Sequence, residues 1–550
     1  MERRLVLAIA LAMLVLIVPS ILWPPKPKPT VRRPDGRTDS TAVIDTSSRQ
    51  AVEPPSPDRS AEPAANAPED TVWVESDLYR FGFSTVGARL VVAELPQYKA
   101  FAPGDSGAVQ LVPEGRPLLE HWLVAGADTA NLAEWTFVPS ASHVRVNGQE
   151  RLTFTANRGA ARVELEYRFA AGDYRIGVRG TVTGAMPGGA VLLLGMGDGL
   201  RHVEGDLQGD AREYKVVTKA ARTESRVFGS IDPDERVVLD GPFEWVAVKS
   251  KYFLAAALAI GDGQQPFGGA IAVGGPRQPR TPATRAAVTL TQPVTGGTFA
   301  YQLYVGPIDH RRLKAIGHDL DDVNPYGGFL RPIIKPVTVF VVNVMLWMHE
   351  RLGMQYGWVL VVFGVLVRVV LWPLNQKAME SGMRMQAVAP ILKDVQERYK
   401  NDPEKMQRET MRIYREYKVN PFGGCLPMLA PLPVLFAMFF VFTNAIEFRG
   451  VPFLWLPDLA RHDPTYIIVA LMGMSMYAVT RIGMIGVPPN PQSKMMLYVL
   501  PAMMVFFFFR FASGLNLYYT VQNLFSIPQQ YMIARKRLRQ AGTTPQPVPR

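Results

Sequence analysis

One arginine inside an apolar run is the residue of this sequence best placed to bind an anionic group. Residues 354–374 read MQYGWVLVVFGVLVRVVLWPL and carry a single charge, Arg368. The run is long enough to cross a bilayer, which takes about 20 residues. Arg368 follows Tyr356 by about 18 Å of helix, which is past the middle of a hydrocarbon core about 30 Å thick. A guanidinium there costs roughly 2.5–3.5 kcal/mol, so some structural feature must lower that cost.

Two arrangements could lower the cost of Arg368. Its long stem could carry the charge to the interface near Leu374, or the guanidinium could face a water-filled cavity inside the helix bundle. The apolar runs at 425–446, 466–480, 495–509 and 514–535 contain no Asp, Glu or His that could pair with it. The residues alone leave both alternatives open.

Composition limits the classes of function. The 550 residues carry a formal net charge of +11, and the apolar residues are concentrated in the second half. The basic residues cluster beside the apolar runs, which the positive-inside rule explains better than nucleic-acid binding. The single cysteine, Cys425, excludes an intrachain disulfide and a site of several cysteines. No motif selects a catalytic pair among the scattered acids.

The first 70 residues predict a membrane anchor and a linker. A basic start precedes an apolar run that ends at Trp23 without a signal-peptide cleavage motif. We therefore predict a retained anchor at 1–23 with a cytoplasmic N-terminus, with a cleaved signal peptide as the alternative. Residues 24–70 are rich in Pro, Ser, Ala and Asp, which predicts a disordered linker.

Residues 71–310 predict an all-β domain. Apolar residues alternate with polar ones at 162–169 and 174–179, and the turn sequence Ala170–Asp173 between these runs is typical of a hairpin. Further short strands, separated by Gly and Pro, favour one large antiparallel sandwich. Because this domain follows the first span, we expect it outside the cytoplasm.

The second half predicts an α-helical polytopic membrane protein. For residues 319–353 an amphipathic helix in the membrane interface is favoured over a span. Residues 354–540 contain the remaining spans, at about 356–374, 425–446, 466–484, 495–510 and 514–535. With the N-terminal anchor this makes six spans. The end of the chain, 541–550, predicts a disordered tail.

A charged segment at 375–420 separates two of these spans. Its apolar residues recur at helical spacing, and Asp402 followed by Pro403 predicts an N-cap and a first helical residue, so we expect a helical hairpin. Its apolar stripe serves either the packing of the hairpin itself or the docking of apolar segments. The hairpin and the tail are basic and the loop at 447–464 is not, which places both chain ends in the cytoplasm.

Several motifs resemble those of the YidC family of membrane-protein insertases, in its Gram-negative form with a large periplasmic domain. They are Val367-Arg368, Trp372-Pro373-Leu374, VNPFGGCLP at 419–427, SGLNLYY at 513–519 and, less specifically, YVGP at 304–307. The resemblance implies a five-helix insertase core and a β-supersandwich-like periplasmic domain in the bacterial inner membrane. It implies no enzyme activity and no nucleotide cofactor, in keeping with the missing phosphate-loop motif.

The family's activity would be to insert and fold nascent membrane proteins, alone or with the SecYEG translocon and its accessory subunits, and with the ribosome as a further partner. The resemblance favours the wet cavity for Arg368, as a groove that is open to the cytoplasm. Carried over by position, the substrate-contacting residues are Arg368, Leu432, Pro433, Leu435, Phe507, Tyr518 and Tyr519. The alternative for the last six is ordinary packing against lipid or neighbouring helices.

Three positions depart from the family pattern. Arg510 and Ala512 stand where an aromatic residue and a proline are frequent, and Pro431 stands where relatives carry a polar residue. Arg510 is expected at the outer interface, whereas Pro431 would reshape the groove entrance.

Two other classes compete with an insertase. A secondary transporter or channel would explain prolines near the start of the span at 425–446, but proton-coupled transporters generally need titratable groups inside their spans. A membrane-anchored periplasmic carbohydrate enzyme would explain the β-sandwich but not the spans.

Overall fold

The chain has a β-rich part followed by a helical part. A computed structural model describes residues 70–126, 128–184, 189–261, 264–277, 281–324, 331–417, 432–486 and 491–540. The β-rich part runs from Thr71 to Pro307, and the helical part runs from His310 to Gln540. The predicted anchor at 1–23, nearly all of the predicted linker and the tail at 541–550 lie outside the described residues.

The strands of the β-rich part form three sheets. The first contains β1 (Thr71–Glu75), β2 (Arg80–Ser84), β3 (Leu90–Lys99), β4 (Ala108–Gln110) and β8 (His143–Arg145). The second contains β7 (Val138–Pro139), β9 (Gln149–Arg158), β10 (Ala161–Ala170), β11 (Arg175–Thr183), β13 (Lys215–Lys219), β14 (Thr223–Val227), β16 (Trp245–Lys249), β17 (Phe253–Leu258) and β20 (Thr298–Pro307). The third contains β5 (Glu120–Ala125), β6 (Asp128–Asn131), β12 (Val191–Gly195), β15 (Arg236–Phe243), β18 (Phe267–Gly274) and β19 (Ala286–Pro293).

The strand orders are β4-β3-β2-β1-β8, β14-β13-β16-β17-β20-β11-β10-β9-β7 and β15-β18-β19-β12-β5-β6. The pairing is antiparallel except between β1 and β8, which run parallel. The prediction of a β-sandwich is therefore confirmed, and its pairing is antiparallel apart from this one pair. The exception arises because β8 returns to the edge of the first sheet from a distant point of the chain.

The predicted hairpin is formed by β10 and β11. Ala170–Asp173 joins them, and the register pairs Tyr167 with Val178 and Phe169 with Ile176. All four of these side chains are buried, as the period-two alternation predicts. The hydroxyl of Tyr167 donates to the carbonyl of Ala88 at 2.7 Å, which ties the second sheet to the turn after β2.

Nine α-helices follow one another in the described residues, besides short 3-10 turns. They are α1 (Leu207–Ala211), α2 (His310–Ile316), α3 (Arg331–Leu352), α4 (Tyr356–Arg398), α5 (Pro403–Glu416), α6 (Leu432–Asn444), α7 (Ile467–Gly483), α8 (Pro491–Lys494, a π-helical turn Met495–Val499 and Leu500–Phe508) and α9 (Ser513–Gln540). In the helical part α9 packs against α4 and α7, and α3 packs against α6.

Helix α4 does not end at Leu374, where the predicted span ends, but continues to Arg398. Good helix formers such as Lys377 and Glu380 follow the apolar run, so the helix leaves the apolar region without a break. Asp402 then caps α5 by accepting from the backbone of Lys405 at 3.0 Å, as predicted. Val388, Leu392 and Ile413 pack the two helices of the hairpin together.

Two helices of the described chain, at Arg331–Leu352 and Tyr356–Ser381, are long and apolar enough to cross a membrane. Shorter apolar helices lie at Pro433–Asn444, Ile467–Gly483 and Met495–Phe508. Six spans and an interfacial position for α3 therefore stay predictions. The start of the predicted span at Cys425 lies outside the described residues.

Candidate functional site

Arg368 contacts α9 from its position on α4. Its Nη2 donates to Oε1 of Gln529 at 2.8 Å. The side-chain nitrogen of Gln529 donates in turn to the carbonyl of Trp372, at 3.1 Å. Gln529 is fully buried, whereas Arg368 is half-buried. Gln529 thus joins the side chain of Arg368 to the backbone of Trp372, one turn further along α4.

The partner of Arg368 is an amide, whereas the expected partners were acids and histidines. Nε of Arg368 has no hydrogen-bond partner among the described residues, so the guanidinium retains an unused donor. A sequence signal for the glutamine did exist. Gln522 and Gln529 are seven residues apart, so they lie on one face of a helix.

Amide side chains hold α9 between its two neighbours. Gln522 donates to the carbonyl of Gly364 on α4 at 2.6 Å. Asn523, one residue further on, donates to the hydroxyl of Ser475 on α7 at 3.1 Å. These bonds satisfy polar groups that would be costly to leave unpaired in an apolar bundle, and they fix the face of α9 that carries Gln529.

The two predicted tyrosines lie side by side on α9. The ring of Tyr518 is 6.3 Å from that of Phe363 on α4, and the ring of Tyr519 is 5.4 Å from that of Phe508 on α8. Tyr518 is only 4% exposed, so in this arrangement it packs between helices. Tyr519 is half-buried and offers more surface to a bound segment.

The remaining predicted contacts are more dispersed. Phe507 is half-buried and packs edge-on against Phe506, at 5.9 Å between ring centres. Pro433 and Leu435 on α6 are half-buried. Leu432 is the first residue of α6 and its side chain lies outside the described part of the chain, as does all of Pro431.

Arg510, which departs from the family pattern, does not obstruct the candidate site. Its guanidinium lies 5.2 Å from the ring centre of Phe509, over the aromatic face, and the residue is exposed. Ala512 is half-buried in the turn between α8 and α9. Neither residue approaches the Arg368–Gln529 pair, which lies far along α4 and α9 from this turn.

A cluster of buried and half-buried polar side chains, which no sequence pattern had indicated, lies within the helical part. His310, Asp321, Asn444 and Glu447 line a cavity of about 30 Å³ between α2, α3 and α6. Burial raises the pKa of Glu447 to about 7 and lowers that of His310. Neither ring nitrogen of His310 has a hydrogen-bond partner among the described residues.

A buried ion pair lies close to this cluster. Nε of Arg449, in the loop after α6, donates to Glu204 of the β-rich part at 2.8 Å, and both side chains are less than a tenth exposed. The guanidinium also lies over the ring of Phe101, 4.6 Å from its centre. Burial raises the pKa of Glu204, and the charge of Arg449 opposes that rise.

The second arginine of the same loop also meets the β-rich part. The guanidinium of Arg461 is so close to Gly205 that a Cβ there would lie 2.6 Å from it. Ser513, at the start of α9, donates its hydroxyl to the carbonyl of Asp458 at 2.8 Å. The loop is thus bonded both to the β-rich part and to the helix that carries Gln529.

Comparison with known proteins first defines the class. The family described as 60Kd inner membrane protein matches residues 347–540, and the YidC periplasmic domain matches residues 71–340. These matches define an inner membrane protein with a periplasmic β-sandwich domain and a helical C-terminal region. The chain belongs to the YidC family of membrane protein insertases, as its motifs had indicated.

The relatives match along most of their length. The membrane protein insertase YidC of Chlorobium phaeovibrioides is 30% identical over 97% of this chain and 95% of its own. That of Ralstonia nicotianae is 32% identical over 88% of each. A crystal structure of an active YidC insertase with its first transmembrane domain resolved covers 96% of this chain and 99% of its own, at 16% identity and a TM-score of 0.34.

Proposed function

We propose that this protein inserts nascent membrane proteins into the inner membrane and assists their folding, without acting as an enzyme. The observation that carries the proposal is the environment of Arg368, a cation on an apolar helix whose hydrogen-bond partner is the neutral amide of Gln529. A charge kept without a fixed acid partner can attract the acidic outer segment of a substrate. Membership of the insertase family supports the same activity.

The proposed route takes a polar segment part of the way across the membrane. The segment enters from the cytoplasm and meets Arg368, in a groove that is hydrated. The remaining hydrocarbon that its polar groups must cross is then thinner than the full core of about 30 Å. The apolar part of the substrate leaves toward lipid past Leu435, Phe507 and Tyr519, driven by the favourable removal of apolar surface from water.

The proposed topology has six spans with both chain ends in the cytoplasm. In this arrangement the hairpin of α4 and α5 receives the nascent chain near the ribosome, and the periplasmic domain lies on the outer side. SecYEG is a partner for the substrates that also need the translocon. The positive charge of the hairpin and of the segment around Arg537 supports this orientation.

Replacement of Arg368 tests the electrostatic part of the proposal. We expect Arg368→Ala to lower the insertion of a translocon-independent substrate with an acidic outer segment by about tenfold, the effect of losing one ionic contact of about 1.4 kcal/mol. Arg368→Lys should keep most of the activity because it keeps the charge. The measurement is protease protection of the substrate in proteoliposomes, and normal insertion by the alanine variant would contradict the proposal.

Site-specific crosslinking tests the route itself. A photoreactive residue at Leu435, Phe507 or Tyr519 should capture a stalled nascent membrane protein, and one at the exposed Val238 of the β-rich part provides the matched control. If capture is as strong at the control position as at the three others, the proposed route is wrong. A solute flux through liposomes without any help to insertion would favour a transporter instead.

A further inference from the structure

The hydrogen bond between Arg368 and Gln529 carries an inference that rests on the proposed function and extends it. We infer that Gln529 is a positioning residue that holds Arg368 as an exchangeable neutral partner. In this role the amide orients the guanidinium in the resting state and gives way to a carboxylate of the substrate. The neutrality of residue 529 is then what allows the site to select acidic segments.

The orientation of Gln529 is fixed by its surroundings. The side chain is fully buried, and its nitrogen donates to the carbonyl of Trp372 at 3.1 Å. Because the amide nitrogen can only donate and the oxygen can only accept, that bond turns the oxygen toward Arg368. The guanidinium therefore meets an acceptor in a defined position rather than one that rotates freely.

The hydrogen bond between Arg368 and Gln529 is weaker than the bond that a carboxylate would form, so a carboxylate can replace it. A guanidinium bound to a carboxylate, with both partners ionised, forms a stronger bond than one bound to a neutral amide, and carboxylates can bind two of its N–H groups at once. Nε of Arg368 has no partner among the described residues. Because Nε is buried, an arriving carboxylate reaches the guanidinium by displacing the amide from Nη2.

The second bond of Gln529 explains why the exchange does not separate the helices. When the oxygen loses Arg368, the nitrogen remains bonded to Trp372. Gln522, two turns earlier on the same face of α9, stays bonded to Gly364. The contact between α4 and α9 therefore persists while the guanidinium turns to the substrate.

Replacement of the amide by an acid of the same shape tests the inference. Two single-span substrates that are identical except for an acidic or a neutral outer segment are inserted by full-length protein in proteoliposomes. In Gln529→Glu the new carboxylate occupies Arg368 permanently. We expect the ratio of acidic to neutral insertion to fall at least about tenfold below that of the unmodified protein.

The matched control is Gln530→Glu, which adds the same charge one residue later. The side chain of Gln530 lies near Gly483 of α7 rather than near α4, so this variant should leave the ratio unchanged. Insertion of the neutral substrate also reports whether each variant is folded.

Two results would overturn the inference. The ratio in Gln529→Glu could equal that of the unmodified protein, or both substrates could lose insertion equally, which would make Gln529 a packing residue only. Failure of the proposed function would look different, because the unmodified protein would then insert neither substrate. Gln529→Leu adds a further check, since Arg368 loses its neutral partner while no new charge appears, and its ratio should not fall.

Discussion

Arg368 and Arg449 show how the same side chain serves two different purposes. Arg449 is almost fully buried against an acid, Glu204, and above an aromatic ring, so its charge is neutralised in place. Arg368 is half-buried and bonded to a neutral amide. The first arrangement joins two parts of the protein, whereas the second leaves a charge available. The sequence indicated Arg368 because a charge in an apolar run is conspicuous, but Gln529 is recognisable only once the packing of α4 and α9 is known.

Glu447 provides a prediction at the residue scale. Burial raises its pKa from 4.5 to about 7, with Asp309 adding to the rise and Arg311 opposing it. A carboxyl group whose pKa is raised on folding stabilises the fold below its unfolded pKa, and this contribution is lost as the pH rises through about 7. We expect the free energy of unfolding to fall by about 1–3 kcal/mol from this group between pH 5 and 8.

The measurement is the thermal unfolding midpoint of the detergent-solubilised protein across this pH range. Glu447→Gln should flatten the dependence, because the amide does not titrate. Glu350→Gln is the matched control, since Glu350 is a half-exposed partner of Arg311. An identical pH dependence in Glu447→Gln and the unmodified protein would show that another group is responsible.

At the scale of elements, the loop between α6 and α7 is where the periplasmic domain meets the helices. The sequence showed this loop as a segment poor in basic residues, and its two arginines served only to assign its side of the membrane. In the structure one of them, Arg449, pairs with Glu204, and the other, Arg461, packs against Gly205. Such partners are distant along the chain, so neither propensity nor periodicity could have named them. The cap at Asp402, in contrast, depends on adjacent residues and was predictable.

The ion pair of this loop gives a prediction for the coupling of the two parts. Arg449→Met leaves Glu204 buried without its partner, and we expect a loss of about 3–5 kcal/mol in the free energy of unfolding. The double variant Glu204→Leu with Arg449→Met removes both charges and should recover most of that loss. Thermal unfolding of the three proteins measures the coupling. A double variant that is less stable than Arg449→Met would contradict it.

On the scale of the whole molecule, the β-rich part is attached through several contacts rather than through the chain connection alone. Lys249 in β16 donates to the side chain of Asn324, shortly before α3, at 2.6 Å, and Lys219 in β13 donates to the carboxylate of Asp319, between α2 and α3, at 2.7 Å. The sequence predicted the β-sandwich and its hairpin at Ala170–Asp173 from local alternation. It could not predict the order of the three sheets, because that order depends on pairings between distant strands.

Removal of residues 72–309 separates the roles of the two parts. We expect this shortened protein to keep inserting the acidic substrate, because Arg368 and Gln529 both lie in the helical part. Its thermal stability should fall, since the loop that contains Arg449 loses the packing of Phe101. If the shortened protein reaches the membrane in normal amounts but inserts no substrate, the periplasmic domain has a direct role in insertion. Retained insertion would speak against a membrane-anchored carbohydrate enzyme.

The unbroken course of α4 has a mechanical consequence. Its 43 residues form a rod of about 64 Å that begins at Tyr356 and ends at Arg398 in the hairpin. If the helix pivots at Tyr356, a tilt of about 5° moves Arg398 by roughly 5.6 Å and Arg368 by roughly 1.6 Å. A displacement of that size is enough to break a hydrogen bond. A load placed on the hairpin would therefore be transmitted along one continuous helix to the position of Arg368.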